Sequence, residues 1–141
     1  MKMIFAILSL VVSQSALAYP TAGDTAEFKN IDGSIVTIKN MGHDDINKVW
    51  NVEVGQGGQT NVEKFADADM LTQEQMINLL GQCAQAGGTK ETITVPAGYF
   101  ESCKFLNNDG GSAWLADVPF GMVKVITSEV NLELISFTAA K

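Results

Sequence analysis

Arginine is absent from this chain. All 9 basic residues are lysines, set against 16 acidic ones, for a net charge of −7. Phosphate recognition relies on the planar guanidinium fork and on a basic face. Nucleic acid and anionic membranes are therefore not expected as partners. Histidine is nearly absent too, since His43 stands alone. One imidazole is a thin supply for a zinc site or for a Ser-His-Asp set. No G-x-S-x-G elbow occurs. Gly55-Gln56-Gly57-Gly58 lacks the Lys-Ser/Thr that completes a phosphate loop. No cofactor motif is present, and none is expected to be bound. The chain is also short of long apolar runs. The one at residues 4–12 is too short to cross a bilayer, and nothing after it is longer.

What the sequence does have begins with the anatomy of an export leader. Lys2 precedes that apolar run, and Ala16-Leu17-Ala18 supplies small residues where a signal peptidase cuts. Residues 1–18 are read as a signal peptide, leaving Tyr19 first. No cysteine follows the cut, so no lipid anchor is expected. Residues 19–141 are read as a single β-rich domain, soluble, in the periplasm or secreted. Loss of Lys2 would make it one unit more acidic, a balance that most often serves solubility.

Cys83 and Cys103 are the only cysteines. An even count in an oxidising compartment reads as one disulfide, and the spacing is wrong for a redox CxxC pair.

Alternation of apolar and polar residues dominates the chain. Residues 25–31 and 34–39 flank Asp32-Gly33, a short hairpin signal. Residues 41–47 read as a polar loop holding His43, Asp44 and Asp45. Residues 48–54 form a strand with Trp50, Val52 and Val54 on one side, and 59–65 return after the glycine turn. The period then changes. Thr72 and Gln75 make a capping box, and Met76, Leu79, Leu80 and Cys83, joined by Ile77 and Ala84, recur at helical spacing. Gly87-Gly88 is expected to end this helix. Too short to stand alone, it must lay its stripe on the sheet. That docking would bring Cys83 to Cys103. Strands resume at Thr89 and run to Phe137, with a frayed tail after them.

Residues 92–124 organise the rest. Ile93 and Val95 alternate with polar neighbours until Pro96-Ala97-Gly98 breaks the run. Residues 99–106 form a strand with Cys103 and Phe105 on one face. Asn107-Asn108-Asp109-Gly110-Gly111 is a dense turn signal. Residues 113–118 return, Pro119 stops them, and Gly121 opens a further strand. The C-terminal third carries Val95-x-Ala97-Gly98-x-Phe100, then Trp114-x-Ala116, then Gly121-x-Val123-Lys124, then Leu132-Glu133-Leu134. In this order it resembles the TapB-like family of bacterial exported domains, although Leu115 stands where that family usually has an aromatic. The resemblance implies export and brings no catalytic residue with it. The pattern is also distantly similar to the curved-sheet carriers of the lipoprotein-localisation type. The fold class expected is mainly β (α+β): a curved antiparallel sheet or partly open barrel with one helix packed on it.

Candidate chemistry is sparse. His43-Asp44-Asp45 could ligate a metal or do acid–base work, but adjacent residues of an extended backbone point to opposite sides. It is read as a solvated turn whose replacement leaves stability nearly unchanged. Asn107-Asn108-Asp109 offers oxygens for calcium without the ligand spacing of an EF-hand. No metal and no catalytic residue are expected. Trp50, Tyr99, Trp114 and Phe120 are candidate ligand contacts, Phe120 because Pro119-Phe120-Gly121 is a bend that could expose it. The expected function is non-enzymatic binding of a protein, peptide or apolar ligand in the cell envelope. The alternatives are a hydrolase or metal enzyme centred on His43, and a structural or assembly protein of the envelope.

Overall fold

The computed structural model describes residues 21–69, 72–107 and 110–139. The expected signal peptide, Asn108-Asp109 and the last two residues of the tail lie outside them. Nine strands occur among the described residues: β1 (Thr25–Asn30), β2 (Ile35–Asp44), β3 (Val49–Gln56), β4 (Gln59–Ala66), β5 (Thr89–Val95), β6 (Gly98–Leu106), β7 (Ser112–Leu115), β8 (Met122–Ile126) and β9 (Asn131–Thr138). One helix, α1 (Gln73–Gly81), follows a 3-10 turn at Asp67–Asp69. None of this is a helix long and apolar enough to cross a membrane.

Every pairing is antiparallel, in the order β4-β3-β2-β1-β9-β8-β7-β6-β5. The chain thus makes two meanders, β1–β4 and β5–β9, joined along the seam of its first and last strands. Asn30, only 6 % exposed, clasps that seam. Its Oδ1 accepts from Ile31 N at 2.8 Å and from Asn131 N at 3.1 Å. The expected tail begins inside the sheet, because Thr138 pairs with Thr25.

Local chemistry sets the turns. Asp32 Oδ1 accepts from Ser34 N and Oγ at 2.8 and 2.6 Å, and Gly33 takes φ 90° between β1 and β2. Gly57 and Gly58 hold φ 61° and 79°, the two positive values that a type I′ hairpin needs between β3 and β4. Two sequence boundaries move. Residues 41–44 are ladder, not loop, because β2 runs on to Asp44 past a bulge at Asn40/Gly42. β7 ends at Leu115, since Ala116 N turns to Gly121 O at 2.9 Å and Gly121 N to Val118 O at 2.8 Å.

The sheet is curled without closing. Ala97 N, in the β5–β6 turn, donates to Leu134 O of β9 at 3.0 Å. In a flat sheet four strand spacings would hold these groups about 19 Å apart. Bulges at Glu27/Phe28 and Trp114/Leu115 bend the strands between them. Curling also covers both faces of β6. Ser102 and Cys103 are neighbours with side chains on opposite sides, yet they are 1 % and 0 % exposed. The enclosed core holds Phe28, Val52, Val54, Leu115, Leu132 and Leu134, with Met76 from α1.

Residues 67–88 carry the chain from one sheet edge, β4, to the other, β5. The capping box forms as expected, with Gln75 N on Thr72 Oγ1 at 3.1 Å and Thr72 N on Gln75 Oε1 at 2.9 Å. The helix is shorter than its pattern: Gln82 is already the C-cap, and turns continue to Gly87. Met76 is fully buried and Leu79 and Leu80 partly so, but Ile77 and Ala84 face outward. The disulfide between Cys83 and Cys103 is present, with Cα atoms 5.7 Å apart. It pins the end of the helical segment to β6.

Candidate ligand-binding groove

The pinned helix leaves a cleft between itself and the β5–β6 hairpin. Ile77, Leu80 and Gly81 form one wall, Tyr99, Phe100 and Glu101 the other. Lys90 of β5, Ser102 of β6 and Asp117, in the turn after β7, complete its lining, and its volume is about 470 Å³. A second hollow of about 290 Å³ meets it at Asp117 and is bounded by Gln73 at the start of α1, Pro119 and Phe137. The first touches α1 at Ile77, Leu80 and Gly81 and the second at Gln73, so both border the helix.

The lining mixes polar groups with exposed apolar side chains. Ile77 is 51 % exposed, Tyr99 74 % and Phe137 39 %. The Phe100 and Phe137 rings lie 6.2 Å apart in a tilted pair that bridges β6 and β9. Ser102 Oγ donates to Glu91 O at 2.7 Å, which fixes the β5 edge beside the cleft. Asp117 is exposed, and partial desolvation of its carboxyl raises its pKa from the ordinary value. Lys90 has acidic neighbours, Glu91 and Glu101, around a smaller hollow at the same edge.

The four aromatic candidates do not converge. Tyr99 lines the groove. Phe120 does not: it is 2 % exposed and packs in the core, held at φ 65° by the turn that Gly121 closes. Its ring is an anchor, and the bend points it inward. Trp114 is 7 % exposed. It pairs with Lys104 and Lys124 on the neighbouring strands, and their ammonium groups sit 5.1 and 5.6 Å from its ring centroid. The lysine stems cover the indole, and Glu91 and Glu133 hold the two ammonium groups at 4.0 and 3.6 Å. Trp50 lies in the other meander, its ring 4.8 Å from that of His43.

His43 is more built than a solvated turn. It faces Trp50 across the β2–β3 ladder. Its Nδ1 lies 2.6 Å from Asp45 Oδ1 and its Nε2 2.8 Å from Asp67 Oδ1. Two carboxylates on two ring nitrogens favour the imidazolium, so the pKa is raised, first by Asp45 and then by Asp67. Asp44 does separate work: its carboxylate accepts from Asn47 Nδ2 at 2.8 Å and from the Asn47 and Ile46 backbone amides at 3.1 and 3.0 Å, which together lower its pKa. Among the described residues no group of three or more His, Cys, Asp or Glu side chains is arranged to hold a metal.

Ile77 and Asp117 escaped the sequence reading as groove residues. Asp117 carried a signal, because it is the only charge in the run from Ala113 to Val123. Comparison with protein-family models, curated proteins and solved structures finds no match to this chain.

Proposed function

We propose that the chain is an exported, non-enzymatic domain that binds a protein or peptide segment in the groove along α1. The leader-like N-terminus and the resemblance of the C-terminal third to TapB-like exported domains support the export half of this reading. The observation that carries the binding half is the exposed apolar side chains at the hollows beside α1, Ile77 and Tyr99 in one and Phe137 in the other. Apolar surface gathered in a concave site marks contact with a ligand or partner. A hydrolase centred on His43 would need a ring nitrogen free to take a proton, and carboxylates engage both.

Photo-crosslinking tests it. A photoreactive side chain placed at position 99 should give discrete adducts in envelope extract. The same group at Val62, exposed on β4 away from the groove, should give none. Equal labelling at both positions, or none at 99, overturns the proposal.

A further inference from the structure

We infer that His43 is a proton-operated clasp between the first meander and the crossover that carries α1. It is closed on Asp67 while both ring nitrogens hold a proton, and it opens when one proton is lost. The argument is a count of hydrogens. Nδ1 lies 2.6 Å from Asp45 Oδ1 and Nε2 lies 2.8 Å from Asp67 Oδ1. An ionised carboxylate only accepts, and a neutral imidazole has a single N–H. The two bonds therefore exist together only on the imidazolium. On a neutral ring one nitrogen turns a lone pair toward a carboxylate oxygen, and that pair must part. The bond to Asp45 spans two residues within one turn, whereas the bond to Asp67 spans 24. Keeping the local bond orders less chain, so the neutral ring holds Nδ1–H on Asp45 and releases Asp67.

The charges that act on the ring are those two carboxylates. Asp44, next in the chain, is engaged by Asn47 and Ile46, and Lys64 of β4 acts on Asp44. From β3, Trp50 offers an uncharged ring 4.8 Å away, whose face favours a cation. The His43 side chain is 22 % exposed, so the proton has a path to water. What the clasp holds is the start of the crossover. Asp67 opens the 3-10 turn by which the chain leaves β4, and its N–H makes a long bond of 3.2 Å to Lys48 O. The far end of the crossover is fixed covalently by Cys83 and Cys103. Losing the proton thus frees the near end alone, a local opening with the rest of the sheet intact. The inference uses neither hollow and stands apart from the binding proposal.

NMR of the protein with its disulfide intact, from about pH 5 to about pH 9, reads both halves of the clasp. The His43 ring nitrogens report protonation and tautomer. Amide exchange, corrected for its intrinsic pH dependence, reports the protection of Asp67 N–H. That protection should fall about fivefold at the midpoint of the ring titration, with Nδ1 keeping its proton. The amides of Val125 and Leu132, in the β8–β9 ladder, should not change. In Asp67→Asn the carboxamide donates to a neutral Nε2, so protection should no longer fall. His43→Gln, which does not titrate, should show no pH response at that amide. A ring that titrates with Asp67 unmoved, a loss at Asp67 that misses the ring's midpoint, or an Asp67→Asn protein with the wild-type response overturns the clasp.

Discussion

Breaking the bond between Cys83 and Cys103 should cost about 3 kcal/mol of stability. The two residues are 20 apart in sequence. Releasing a loop of that length restores about 11 cal/mol/K to the unfolded chain, or about 3 kcal/mol at 25 °C. Alanine is the better replacement, because serine would add unpaired hydroxyls at sites that are 2 % and 0 % exposed. Gly88 makes the argument sharper. A methyl group there would run into Cys103 Sγ and lie 3.0 Å from Cys83 Sγ and 3.1 Å from Lys104 O. Gly88→Ala should therefore cost roughly 1–3 kcal/mol with the bond in place. In the Cys83→Ala/Cys103→Ala background both sulfurs are gone, and the same change should cost about 1 kcal/mol less. Urea unfolding of the four proteins measures the cycle. Thiol titration of the unfolded, unreduced chain checks the premise. Two free thiols, a loss below about 1 kcal/mol on removing both cysteines, or strictly additive substitutions would refute the account of how the helical segment is held to β6.

The remaining expectations are simpler to score. His43 has a raised pKa, so what its carboxylate bonds contribute to stability is complete below about pH 6.5 and fades as pH rises through the higher folded value; the gap in urea midpoint between wild type and His43→Ala should be wider at pH 6 than at pH 9, and a gap that grows with pH would reverse the assignment. Met76→Ala should cost about 2–5 kcal/mol, while Ile77→Ala should stay within about 0.5 kcal/mol, because only the first is buried; similar losses would mean that α1 is rotated from the position described. Mass spectrometry of exported protein should find Tyr19 at the N-terminus, and a soluble exported chain that retains Met1 would contradict the leader reading.

Much of the architecture was legible along the chain because it is local. Alternation at Val36 and Ile38 and at Val52 and Val54 named the buried face of two strands, and those four residues are 0–3 % exposed. Thr72 and Gln75 announced the helix start through bonds that span three residues. The disulfide followed from cysteine count and a helix that had to lie on β6. Where a pattern had two physical outcomes, the surroundings chose. Phe120 beside a proline and a glycine could turn outward or inward, and the core took it. His43 and its acidic neighbours could be a loose turn, but a ladder to Trp50 and a carboxylate from Asp67, 24 residues on, hold it in place.

By itself, then, the sequence determined most strand and helix identities, the acidic balance and the cysteine bond. Only the tertiary structure decided which strands are neighbours, and with that the groove. Periodicity encodes the face a residue presents, not the strand that lies alongside it. The β1–β9 seam joins residues about a hundred positions apart, and Ala97 meets Leu134 only because bulged strands curl. The hollow beside α1 arises the same way: Ile77 and Leu80 come to lie opposite Tyr99 and Phe100 only when the chain between β4 and β5 has brought the helix there.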